Sequence, residues 1–339
     1  MTDLVFTPKE VGDLGLEHLE RRQAQSGDGM PLYIASLDYE PLNDTGFLPL
    51  LRGELATIIA RPGNGKTSFM LRWARKRAKV IAEDARNKGE DAKKAVVYVT
   101  REQHVEDLQA YIIAAEEGIS ISTMAFGTFS NDQMDKIQSA SARRANLPLW
   151  LIGHSAKRRK KRPNLTIDSL AQSLNEIEKW NGEDCAFQID SIFVDYLQRF
   201  PIPQGAESQT IGFSQIVDRL KDAALAFDTR VVLGVQAKRE VDERALPIPQ
   251  MEDGQWTSNI EQSSDAVISL VRPRHYKHDA ESFGDMIVQG HDQMLVSILK
   301  RKLGPENFAR WVLFDPRYNK LNEAEVKAYD FRKQKGKDE

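Results

Sequence analysis

Cysteine is nearly missing from this chain. Cys185 stands alone among 339 residues, so no disulfide can close within it, and a reducing compartment such as the cytoplasm is expected. Long apolar runs are missing too. No stretch approaches the ~18 residues of a membrane span, and residues 1–6 lack the pattern of a secretory signal. Histidine is scarce and shows no zinc spacing. His275 and His278 lie in a polar stretch, where solvation outweighs metal binding. Excess positive charge is also lacking: the formal net charge is −3, so any contact with nucleic acid must come from a local basic patch. There is no internal repeat, which excludes two copies of one unit in tandem.

What is present is concentrated in residues 60–68, Ala60-Arg61-Pro62-Gly63-Asn64-Gly65-Lys66-Thr67-Ser68. A Gly-rich turn ending in Lys-Thr is a phosphate-binding loop. Its backbone N–H groups wrap the phosphates, Lys66 reaches the β- and γ-phosphates of ATP, and the Thr67 hydroxyl holds Mg²⁺. Ala60 replaces the Gly of the strict pattern, a small-for-small change. The flanks agree: 55–59 is an apolar β-type run and 68–74 reads as a helix, whose N-terminus favours phosphate.

Strands are expected at 55–60, 95–100, 149–152, 191–195, 231–235, 266–271, 294–299 and 311–314. Helices are expected at 68–88, 105–117, 167–179 and 212–227. Apolar strands alternating with helices predict an α/β fold with a mostly parallel central sheet flanked by helices. The last two strands follow one another without a helix, which predicts an antiparallel edge. Residues 1–30 read as an N-terminal helix and linker, 31–320 as the ATPase domain and 321–339 as a charged tail. Over 8–25, Leu14, Leu16 and Leu19 make a thin apolar stripe that suits either docking on a neighbour or a frayed helix.

Around the loop, Asp195 ends the apolar run 191–194, as a Mg²⁺-shell carboxylate requires. Glu102 follows a strand read as a neighbour of the phosphate-loop strand. It can activate the attacking water or merely cap a helix. Gln236 after 231–235 is a γ-phosphate sensor or an ordinary polar strand end. Lys157, Arg158, Arg159, Lys160, Lys161 and Arg162 form a basic run suited to nucleic acid, an acidic protein partner or plain solvation. The polar loop 237–258 carries Lys238 and Arg239 and is too long for an ordinary strand-to-helix turn, which predicts a functional or mobile segment.

Several of these stretches occur together in one known pattern. Ala60-Arg61-Pro62 before Gly65-Lys66-Thr67-Ser68, Val194-Asp195-Tyr196-Leu197-Gln198, Gln236, Ile260-Glu261-Gln262 with Asp265, and Lys300 with Gly304-Pro305 follow in order. Over about residues 30–315 the chain resembles the ATPase domain of the DnaB family of hexameric replicative helicases, a RecA-like P-loop fold. The resemblance implies Lys66 and Thr67 on phosphate and Mg²⁺, Glu102 as catalytic base, Asp195 in the Mg²⁺ shell and Gln236 as sensor. It also implies a homo-oligomer whose late strand supplies cations to the neighbour's ATP. That strand reads Lys300-Arg301-Lys302, with lysine at the arginine-finger position. Either Lys302 acts as a point charge, or a bulge brings Arg301 round. The family's N-terminal primase-binding domain is not expected. The family's Arg-Glu pair near DNA phosphates is replaced around Trp256, a residue able to stack on a base. The implied function is an ATP-driven motor on single-stranded DNA, expected in a mobile element. The rival is an ATP-gated assembly protein that separates no strands.

Overall fold

The computed structural model describes residues 7–24, 30, 50–158, 164–180, 186–244, 246–255, 260–273, 293–302, 308–323 and 329–330. The hub is strand β1 (Leu55–Ala60), followed by helix α2 (Lys66–Lys88), with helix α1 (Pro8–Ala24) preceding both. Then come β2 (Lys94–Thr100), α3 (Val105–Glu117), α4 (Ile121–Phe126), α5 (Asn131–Ala145), β3 (Leu149–Ile152) and α6 (Ile167–Glu178). The chain continues through β4 (Gln188–Asp195), α7 (Gln209–Ala226), β5 (Arg230–Gln236), α8 (Ile260–Ser263) and β6 (Ala266–Val271). It closes with β7 (Gln293–Arg301), β8 (Phe308–Asp315), β9 (Lys320–Glu323) and β10 (Tyr329–Asp330). All lie in one sheet of order β10-β8-β7-β6-β1-β5-β4-β2-β3, with β9 paired to β8.

From β6 through β1 to β3 every pairing is parallel; β7, β8, β9 and β10 add an antiparallel edge. That edge is wider than the sequence suggested. β7 already runs against β6, and all of β10 and β9 beyond Lys320 come from the segment read as a charged tail. A second difference concerns Glu102. Its strand β2 does not adjoin β1, because β5 and β4 stand between them. Both arrangements come from long-range pairing, which a strand's own residues do not specify.

The strands are buried on both sides, and their period-2 alternation sorts side chains between two cores. Ala56, Ile58 and Ala60 of β1 face one core with Phe69, Met70 and Trp73 of α2; Leu55 and Ile59 face the other with Leu170 and Leu174 of α6 and Ile216 and Leu220 of α7. Trp73 is 1% exposed and meets Phe193 of β4 edge-on at 5.6 Å. α2 is framed by glycines in the left-handed region, Gly65 (φ 82°) before it and Gly89 (φ 70°) after it. A Cβ on Gly65 would also sit 2.5 Å from Met294 Cε. The sequence missed α4 and α5. α5 is largely polar, buries only Ala140 and is set by a Ser130–Gln133 capping box rather than by an apolar stripe.

α1 forms as expected, with Val11, Leu14, Leu16 and Leu19 exposed in the single chain. Among the described residues no helix is long and apolar enough to cross a membrane.

Candidate active site

The phosphate loop is held open by its own buried polar groups. Asn64 is 1% exposed; its Nδ2 donates to the carbonyls of Arg61 (3.3 Å) and Pro62 (3.4 Å), and its Oδ1 accepts from the Arg272 amide at 2.7 Å. Arg272 also donates to the Gly63 carbonyl at 2.8 Å. These bonds fix the curve of the loop between β1 and α2, and the first residues of the helix, Lys66, Thr67 and Ser68, line a cavity where a helix N-terminus favours anions.

Lys66, Thr67 and Asp195 converge there, as the sequence pattern requires. Lys66 Nζ lies 2.6 Å from Asp195 Oδ1, and Thr67 Oγ1 donates to Asp195 Oδ2 at 2.6 Å. Lys66 Nζ also sits 4.0 Å above the Tyr196 ring. Asp195 is 1% exposed and takes a third donor that sequence reasoning missed, the Tyr98 hydroxyl at 3.0 Å. Burial, then the Asp195 charge and the hydrogen bond to it, raises the Tyr98 phenol well above its ordinary value. Tyr98 therefore stays protonated and donating throughout the physiological range. The Thr67 hydroxyl in the first turn of α2 and the Asp195 carboxyl at the end of β4 are hard oxygen donors of the kind Mg²⁺ takes, so this donor set fits that ion.

A cavity of about 330 Å³ opens over these groups. Glu102, Gln103, Tyr111 and Gln236 line it together with Lys66 and Thr67, so Glu102 reaches the site although its strand is distant from β1. The far wall was not legible in the sequence: Ile121, Arg272, Phe314, Pro316 and Asn319. Arg272 lies over the Phe314 ring, 4.7 Å from its centroid, a cation–π platform with an apolar floor.

The loop after β5 is tied to this site rather than loose. Arg61 Nε donates to Asp242 Oδ2 at 2.8 Å, and Arg61 donates to the Ala237 carbonyl at 2.9 Å. Gln198 clamps both loop ends, accepting from the Gln236 amide at 3.0 Å and donating to the Gln255 carbonyl at 3.0 Å. Arg244 pairs bidentately with Asp253 at 2.6 and 2.7 Å, and short 3₁₀ turns occupy Arg239–Glu243 and Met251–Asp253. Lys238 Nζ donates to the Glu252 carbonyl, and Arg239 is exposed. Trp256 lies outside the described residues, as do Arg159, Lys160, Lys161 and Arg162; Lys157 and Arg158 are exposed.

The late-strand cations divide as alternation dictates. Lys300 Nζ donates to the Glu261 carbonyl, and exposed Lys302 lies 3.5 Å from Asp265. Arg301 is 6% exposed and turned to Glu54, 3.3 Å away. β7 does bulge, since Lys300 pairs Val267 while Ile298 pairs Ile268. The bulge leaves Arg301 inside, which corrects the expectation that it could bring this arginine round as a finger. Lys300 lies opposite Val267, Arg301 opposite Ala266 and Lys302 against Asp265, all toward the start of β1, whereas the phosphate loop leaves its end.

A Lys-Thr phosphate loop between a central parallel strand and its helix, with an acidic strand end against it, defines a P-loop nucleotide triphosphatase of RecA-like build. The chain aligns with solved structures of that build at 20% identity. One is a solved ATPase domain (TM-score 0.70, covering 93% of this chain and 99% of that one). Another is a DnaB-like replicative helicase studied with primase (TM-score 0.70, 92% and 67%). The family model for the DnaB-like helicase C-terminal domain matches residues 39–323, and the chain belongs to that family. Similar relatives are a probable plasmid replicative DNA helicase of Chlamydia psittaci (24% identical, covering 82% of this chain and 54% of the relative) and the replicative DNA helicase DnaC of Bacillus subtilis (24%, 90% and 59%). The chain spans little more than half the length of these relatives.

Proposed function

We propose that the chain hydrolyses ATP to drive an oligomer along single-stranded DNA. The observation that carries this reading is the convergence of Lys66, Thr67 and Asp195 under one cavity. In this reading the loop amides and Lys66 take the β- and γ-phosphates, and Thr67 and Asp195 hold Mg²⁺ directly or through water. The ion would neutralise charge developing on the transferred phosphoryl group. The base of the nucleotide stacks against Arg272 and Phe314. Glu102 orients and deprotonates the attacking water, and Gln236 reports the γ-phosphate to the 237–254 loop that Gln198 and Arg61 tether.

The positions of Lys300 and Lys302 support an oligomer. From Ala56, level with them, to Ala60 the strand rises about 13 Å at ~3.3 Å per residue. They cannot reach the phosphates of their own loop, so they serve a neighbouring copy's site, in a ring such as a hexamer. α1, with its exposed leucines, is free to pack on that neighbour. The similarity to a plasmid-borne relative favours a mobile-element setting.

One observation favours a second reading, an ATP-gated assembly protein. With Arg301 committed to Glu54, the 300–302 triplet offers a neighbour's site lysines alone, and lysine lacks the planar fork of arginine. A fork-unwinding assay with hydrolysable ATP separates the two. Strand separation requires the motor; DNA-stimulated hydrolysis without it would leave the gated assembly.

A further inference from the structure

Two guanidinium groups near the reaction centre have no role in the scheme above. Arg101 immediately precedes Glu102, and its amide donates to the Asp195 carbonyl at 3.2 Å. Its guanidinium spends one N–H on the Leu165 carbonyl at 2.7 Å and lies 5.7 Å from the centroid of the buried Phe200 ring. Arg199, exposed at the end of the 3₁₀ turn Leu197–Arg199, lies 5.9 Å from the Tyr196 ring, the ring that also carries Lys66. Among the described residues neither arginine is paired to a carboxylate.

Aromatic support orients a guanidinium while leaving its N–H edge to donate, and five donors on Arg101 are far more than one carbonyl consumes. The nucleotide phosphates are not the acceptor for those donors. Glu102 and Tyr196 line the nucleotide cavity, but neither arginine does. The pair instead belongs to a row. Along the C-terminal edge of the sheet, β4 is followed by Arg199, β2 by Arg101, and β3 by exposed Lys157 and Arg158. A row of cations across successive strand ends suits a polymer with repeating phosphates.

We propose that Arg101 and Arg199 form a phosphodiester-binding site for single-stranded nucleic acid, set directly against the hydrolytic machinery. A backbone phosphate clamped there fixes the segment that carries Glu102 on one side and Tyr196 with Lys66 on the other. The strand being bound thereby promotes hydrolysis. This rests on the motor reading above.

The test uses the full chain, a fluorescein-labelled oligo-dT and a non-hydrolysable ATP analogue, with affinity followed by anisotropy across a salt series. Each lost phosphate contact should flatten the slope of log affinity against log salt by about 0.7, so Arg101→Gln/Arg199→Gln should lose about 1.4. Arg101→Lys/Arg199→Lys, which keeps the charge, should keep most of the slope and shows that the fold tolerates change there. The fold-stimulation of ATPase by oligo-dT should fall toward one in the Gln variant, while its affinity for a fluorescent ATP analogue stays within about twofold of wild type. An unchanged slope in the Gln variant overturns the proposal. So does a loss of nucleotide affinity with the slope intact, which would place the arginines on ATP. Wild-type protein that binds no oligo-dT at all would sink the motor reading itself, and the site with it.

Discussion

Tyr98→Phe removes one oxygen atom from a completely buried position and should change how the site responds to Mg²⁺. Asp195 accepts from Lys66, Thr67 and Tyr98. In the proposed scheme Lys66 would turn to phosphate and Thr67 to metal, leaving Tyr98 as the donor that holds the carboxylate. A hydrogen bond to a charged group is worth about 1.5–3 kcal/mol, equivalent to roughly 10- to 150-fold in an equilibrium constant. Loss of the bond should therefore raise the Mg²⁺ concentration needed for tight nucleotide binding by about tenfold or more. Nucleotide affinity in EDTA should stay nearly constant, because it rests on the loop and Lys66. The assay is equilibrium titration of a fluorescent ATP analogue at several Mg²⁺ concentrations, with Asp195→Asn and the double variant completing a cycle. If Tyr98 acts through Asp195, Tyr98→Phe should add little in the Asp195→Asn background. A Mg²⁺ dependence identical to wild type would refute the assignment; full additivity in the cycle would show that Tyr98 acts by some route other than Asp195.

Other expectations follow from single contacts. Asp190, fully buried, is bonded by Arg77 at 2.8 and 2.6 Å and by Arg230 at 3.0 Å, with Arg52 at 3.6 Å. Asp190→Asn should cost about 3–5 kcal/mol in denaturant unfolding, since the cations remain buried. Burial raises the Asp190 pKa, but the three arginines outweigh it and the net shift is downward. Its contribution is therefore present above the unfolded value of about 3.9 and is lost as pH falls through the lower folded value; Asp190→Asn should weaken that acid limb of the stability profile. Lys302→Arg should raise ATP turnover at unchanged nucleotide affinity, because a finger acts in the transition state; unchanged turnover would remove Lys302 from the neighbour's site. Arg272→Ala should weaken binding of ATP more than that of tripolyphosphate in competition titrations, and equal losses would move the base elsewhere.

The phosphate loop, strands β1 to β8 and Asp195 were legible because their signals are local. Gly65 must take a positive φ, Lys66 and Thr67 must be adjacent, and strands buried on both faces read as apolar runs. What stayed hidden depends on pairing between distant segments. Arg272 and Phe314 are ordinary residues until β6 and β8 bring them to one wall. Tyr98 sits inside an apolar run and reads as core; only the placement of β2 beside β4 turns its hydroxyl to Asp195. Whether the loop after β5 was ordered was not legible, because its order comes from outside it, from Arg61 and Gln198.

The Lys300-Arg301-Lys302 triplet shows how far alternation can decide a role before any chemistry is considered. Successive strand residues face opposite sides, so a strand can present either the lysines or the arginine outward. Glu54 settles the choice. It is 7% exposed, and without Arg301 it would be a buried carboxylate lacking its cation. Turning Arg301 outward as a finger would expose that cost and also drive Lys300 and Lys302 toward the interior, away from the Glu261 carbonyl and Asp265. The bulge in β7 could have shifted the phase by one residue, yet it lies before Lys300 and leaves the triplet's alternation intact. In the proposed oligomer, what this triplet offers a neighbour's site is lysine, which brings charge without a bidentate fork. Slow hydrolysis in the absence of DNA is the expected consequence. A strand-end arginine pair that senses bound nucleic acid would then supply the control that a strong finger otherwise overrides.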